Sequence, residues 1–160
     1  MKLLVLLNEA VTSLDGAKPD ELRRRVADSF VDARADAEVR VIDPRWLNKH
    51  VQEATDGLFD AIIAGGSDSM LNAVANAVVV YGRKPLGVLP LGIQSHFAKE
   101  LGFPCDLDGA VRALAGATVT EALAGELNGR IFLSYAAVGL DPIAMMRPQD
   151  AAEKRHGGED

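Results

Sequence analysis

Residues 62–72 read Ile62-Ile63-Ala64-Gly65-Gly66-Ser67-Asp68-Ser69-Met70-Leu71-Asn72, and their reading decides the fold. Asp60 to Ala64 has the length and apolar character of a buried strand, while Leu71, Val74, Ala75 and Val78 recur at the spacing of a helix face. Between them lie two glycines. A strand, glycine turn and helix gather unpaired amide N–H groups and the positive end of a helix dipole in one place, the arrangement by which a backbone holds phosphate. Asp68 puts a carboxylate there, and two readings of it stand. It can cap the helix beginning near Met70, worth roughly 0.5–2 kcal/mol, or it can hold Mg²⁺ that accompanies a triphosphate. The cap is the simpler chemistry. In that reading an incoming anion at roughly 4 Å meets about 4 kcal/mol of repulsion per unit charge at an effective dielectric near 20.

On the N-terminal side, Lys2 to Leu7 is a continuous apolar run ending at Asn8, which suits a central strand buried on both faces. A helix is predicted from Pro19, with Asp20 and Glu21 in its first turn and Leu22, Val26 and Phe30 as its buried stripe. Alternation over Ala37 to Ile42 gives a second strand, and Trp46, Leu47 and Val51 a short helix that stops before Asp56-Gly57. On the C-terminal side, Gly82 ends the helix after the glycine turn, and Leu86 to Leu89 is a fourth strand. Ser95 is placed to cap a helix over His96 to Leu101, terminated by Gly102 and Pro104, and another covers about Asp108 to Ala115. Strands alternating with helices in this way predict a layered, Rossmann-like α/β domain with a mainly parallel sheet, its glycine loops gathered at the carboxyl ends of the strands. After Gly116 the pattern turns to β-type alternation, and Asn128-Gly129 signals a hairpin.

Composition narrows the function. The chain has 160 residues, 48% of them apolar, enough for one soluble globular domain with a real core. Its 17 basic and 23 acidic side chains leave a net charge of −6, which argues against a nucleic-acid surface. The apolar runs are too short for a bilayer span and the N-terminus lacks a signal-peptide pattern, so a cytoplasmic protein that is not integral to the membrane is expected. Cys105 stands alone, and His50, His96 and His156 are scattered, so neither a disulfide nor a metal-ligand spacing is present.

Three segments occur in a recognisable order: the glycine turn, "PLGVLPLGIQSHFAKELGFP" from Pro85, and "ELNGRIFLSYAAVGLDP" from Glu126. Together they resemble the N-terminal domain of bacterial diacylglycerol kinase-type lipid kinases, relatives of sphingosine kinases and NAD kinases. The likeness runs to about Met146 and is most specific over Gly87 to Ala98, Leu101-Gly102 and Pro104. The resemblance implies ATP and Mg²⁺ as cofactors and a nucleotide site built from Asn8, Thr12, Gly65, Gly66, Ser67, Asp68, Ser69, Gly92, Ile93 and Ser95. Several of these depart from the family pattern. The family has Gly-Gly-Asp-Gly-Thr where this chain has Gly65 to Ser69, Asn-Pro-x-x-Gly where it has Asn8 to Thr12, and Leu-Gly-Thr-x-Asn where it has Leu91 to Ser95. Ile93 keeps a β-branched shape but loses a hydroxyl donor. Thr12 and Asp68 add side chains where the family uses glycine.

The resemblance also implies a β-rich second domain carrying the lipid cleft, the acidic residues of general-base chemistry and the metal ligands. Residues 1–125 then form the nucleotide-binding type of domain, 126–147 the start of a truncated second domain, and 148–160 a polar tail. No catalytic residue and no metal ligand is assigned within the chain. A lipid substrate requires the second domain to be supplied, and weak or absent activity is the expectation for the chain alone. The alternative is a non-catalytic interaction or regulatory module, or a redesigned scaffold, on the same fold without nucleotide. Hairpin edges near Glu126 and Ile131 are expected to be open and to favour a homodimer.

Overall fold

The computed structural model describes residues 1–9, 18–57, 59–82, 84–91 and 96–133. Thr12, Gly92, Ile93 and Ser95, and the predicted polar tail at 148–160, lie outside them.

Strand β1 (Lys2–Asn8) is the centre of a four-stranded parallel sheet, with β2 (Asp36–Ile42) on one side and β3 (Ala61–Gly66) and then β4 (Leu86–Pro90) on the other. Its unbroken apolar run is explained by burial on both faces. Leu4 and Leu6 join Ile62 and Ala64 under helices α2 (Leu47–Asp56) and α3 (Asp68–Tyr81), contributing Val51, Ala54, Met70, Leu71 and Val74. Leu3, Val5 and Leu7 join Ile63 and Leu89 on the opposite face. There they pack on α1 (Pro19–Asp32), through Leu22, Val26 and Phe30, and on a later helix over Leu107–Ala115, through Val111 and Leu114. The result is a doubly wound, three-layer domain. The first connection leaves β1 toward β2 across one face and the next returns past β1 to β3 across the other, so the chain reverses direction between β1 and β3.

Element boundaries depart from the sequence reading in instructive places. β3 runs on through both glycines, because Gly65 is paired with Leu7 on one side and Leu89 on the other. Trp46 does not join the buried stripe of α2. It ends a 3₁₀ turn over Pro44–Trp46, is 59% exposed, and leaves burial to Leu47, Val51 and Ala54. The short helix α4 (His96–Glu100) ends in a Schellman motif: Gly102 at φ 67 donates to Lys99 O and Phe103 N–H to Ala98 O. Helix α5, Leu107–Ala115, starts one residue earlier than predicted because Asp106 caps it, accepting from Gly109 N–H at 2.7 Å.

β5 (Gly125–Leu127) and β6 (Arg130–Phe132) form the predicted antiparallel hairpin, with Asn128 at φ 51 and Gly129 at φ 74 as a type I′ turn demands. Ile131 does not present an open edge, however. Its backbone is bonded to the side chain of Asn76 on α3. No helix among the described residues is long and apolar enough to cross a membrane.

Candidate functional site

The carboxyl ends of β1, β3 and β4 bring Asn8, Gly66 and Pro90 to one edge of the sheet, at the point where the chain reverses direction. Ligands in open α/β sheets bind in this position. Both glycines answer a local constraint there. A Cβ at Gly65 would run into the side chain of Leu7, itself fully buried. Gly66 sits at φ 152, a conformation L side chains rarely adopt. The backbone turns directly from Gly66 through Ser67 into α3.

Ser67 is the N-cap residue of α3 by backbone conformation, φ −78 and ψ 169, and the first helical bond runs from Leu71 N–H to Ser67 O. The amides of Asp68, Ser69 and Met70 precede that bond and have no partner within the helix. The Ser67 side chain makes no cap hydrogen bond to them. Ser67 Oγ instead pairs with Ser69 Oγ at 2.8 Å. These amides and the positive end of the helix dipole stand at the sheet edge, the setting in which a backbone holds an anion.

Asp68 corrects the reading of it as the cap of its own helix. It is the first residue inside α3, past the cap position, and its Oδ2 accepts from the backbone N–H of His96 at 3.0 Å. One carboxylate thus ties the starts of α3 and α4 together across 28 residues of sequence. The His96 side chain is exposed. Ser67, Asp68, Ser69, Gly65, Gly66 and Asn8 are therefore gathered at one edge, while Thr12, Gly92, Ile93 and Ser95 fall outside the described residues. Among the described residues no group of three or more His, Cys, Asp or Glu converges to hold a metal ion. A nucleotide-bound Mg²⁺ would meet one carboxylate at this edge, Asp68, and would take the rest of its shell from substrate oxygens, as is common for that ion.

The partners of two polar groupings escaped the sequence reading, which places Asn72 only among residues the family keeps for a turn or packing. Asn72 and Asn76, half-buried on α3, reach the hairpin, and the only signal for it is a pair of amides four apart among apolar residues. At the β2 edge of the same face, Arg40 is held by Glu38 at 2.7 Å and Glu53 at 3.0 Å, with His50 Nδ1 3.3 Å away. Burial, then the Arg40 charge, pushes the His50 pKa down from its ordinary value.

Comparison with known proteins bears on the family and the fold. The sequence model of the diacylglycerol kinase catalytic domain matches residues 2–127. A diacylglycerol kinase of Staphylococcus epidermidis is 34% identical over 89 residues, 55% of this chain and 28% of that protein. One from Staphylococcus haemolyticus is 37% identical over 82 residues, 51% of this chain and 25% of that protein. The chain thus matches about a quarter of the length of these curated relatives. The crystal structure of a diacylglycerol kinase from Bacillus anthracis str. Sterne superposes with a TM-score of 0.69 at 21% identity, over 82% of this chain and 45% of that one. With the family model matching residues 2–127, most of the chain, this protein belongs to the diacylglycerol kinase catalytic-domain family.

Proposed function

We propose that the chain is the nucleotide-binding half of a diacylglycerol kinase-type lipid kinase, taking Mg·ATP at the glycine turn and transferring no phosphate to lipid by itself. The observation that carries the reading is the opening of α3, with the Asp68, Ser69 and Met70 amides ahead of the first helical bond and no cap bond from Ser67, just after two glycines at the reversal point of the sheet. ATP supplies the phosphoryl group, and Mg²⁺ neutralises its charge. The chain's own residues bind and orient: Gly65 and Gly66 let the phosphates approach the backbone, the α3 amides donate to them, and Asp68 offers a carboxylate to the metal side. Phosphoryl transfer rests on positioning and charge neutralisation, and binding and orienting the nucleotide is the share these residues would supply. Residues 1–125 serve as this half, and 126–147 as the start of the second domain, with 148–160 a tail.

A second reading, an interaction module without nucleotide, draws on the bond from His96 N–H to Asp68. There the carboxylate takes the place of the anion. Calorimetric titration with Mg·ATP and ADP separates the two, since only the first reading expects saturable binding. Radiolabel transferred from ATP to diacylglycerol by the purified chain, above a heat-killed control, would overturn the silent-half assignment.

A further inference from the structure

The two edges of the hairpin are not alike. A two-residue turn makes Leu127 and Arg130 the bonded pair, which directs the backbone N–H and C=O of Glu126 and Ile131 away from one another. On β6 those outward groups meet α3. Asn76 Nδ2 donates to Ile131 O at 2.8 Å, and Ile131 N–H donates to Asn76 Oδ1 at 2.8 Å. This is the two-bond exchange that a residue on a neighbouring strand would make. One helical turn earlier, Asn72 Oδ1 accepts from Leu133 N–H at 3.0 Å, the next outward-facing amide along the chain. Asn76 Nδ2 is held in place by Asn72 O at 2.7 Å. The spacing explains the match: four residues of helix rise about 6 Å and two residues of strand about 6.6–6.8 Å.

We propose that Asn72 and Asn76 form a strand receptor, in which α3 stands in for the missing neighbour of β6 and the two carboxamides set where the hairpin sits. The occupant is an extended backbone, and within this chain it is β6. Asn72 lies one turn from Asp68, so the helix that opens at the glycine turn also fixes the start of the β-rich segment. Both are positioning residues. Pairing with any further strand is then confined to the β5 edge at Glu126. The inference stands on the hydrogen-bond geometry and is independent of nucleotide binding.

Amide hydrogen exchange of the full chain, read residue by residue by NMR, tests it. In the parent, Ile131 and Leu133 are expected to exchange more slowly than Glu126, whose amide faces outward on β5. Asn76→Asp is nearly isosteric and keeps an acceptor for Ile131 N–H, but at pH 7 its carboxylate faces Ile131 O and Asn72 O without a donor and repels both, so the hairpin should lift from α3 and protection at Ile131 fall about tenfold while β1 amides are unchanged. At about pH 3.5, below the ordinary aspartate pKa near 3.9, the protonated side chain regains a donor and the protection factor should recover. A role in packing alone would show neither loss nor recovery. Asn72→Ala should release Leu133 and spare most of the protection at Ile131. The proposal is overturned if Ile131 and Leu133 of the parent exchange as fast as Glu126, or if Asn76→Asp keeps full protection at pH 7. Should Asn76→Asp not fold, unchanged Leu133 protection in Asn72→Ala overturns it equally.

Discussion

At Asp68 one position along the chain changes the chemistry. A residue at the cap satisfies its own helix, whereas Asp68, one step further, satisfies α4 through His96 N–H. The sequence places an acid at the turn but gives no sign of this partner, because the contact joins two helix starts that only the folded sheet brings together. Asp68→Asn should keep a carbonyl acceptor for His96 while removing the charge. Stability is then expected to change by less than about 1 kcal/mol. Affinity for Mg-free ADP should rise at least about tenfold as like-charge repulsion disappears. Thermal melting and calorimetry check the two halves separately, and an unchanged ADP affinity would mean that the carboxylate does not face the anion.

Two elements carry their own tests. β3 continues through Gly65 and Gly66, although glycine is a weak strand former, because neighbours on both sides pair with it. Sequence patterning ended the strand at Ala64 for want of that tertiary context. Gly65→Ala should cost about 1–3 kcal/mol, since the new methyl meets the buried Leu7 side chain. Urea denaturation measures it, and a midpoint equal to the parent's would show that the strand end can give way. Between β2 and α2, His50 faces Arg40, Glu53 and Lys49 and has its pKa lowered, burial first and the Arg40 charge second. A lowered folded pKa means that the unfolded chain binds the proton more readily, so stability falls as pH drops through the ordinary histidine range near about 6.5. Over that interval His50→Gln should flatten the pH dependence of the melting temperature, while an unchanged slope would assign the acid sensitivity to other groups.

For the molecule as a whole, the parallel sheet, the buried stripes of α1 and α3 and the hairpin turn were legible because each is written in local periodicity: Leu22, Val26, Phe30; Leu71, Val74, Val78; Asn128-Gly129. The seating of the hairpin on Asn72 and Asn76, and the Asp68 to His96 tie, were not legible, since polar contacts between distant segments leave no periodic trace. The same limit applies to the homodimer expected at the hairpin: Ile131 is already engaged, so any self-association falls to the Glu126 edge.

The central claim is that nucleotide phosphates lie against the glycine turn and the opening amides of α3. Titrating Mg·ATP into the isotopically labelled chain and following backbone amide shifts by NMR tests it most directly. The account predicts saturable shifts concentrated at Gly66, Ser67, Asp68, Ser69 and Met70 and extending to His96. Saturable shifts confined to another surface, such as the outer faces of α1 and α5, or no shifts at millimolar nucleotide, would contradict it.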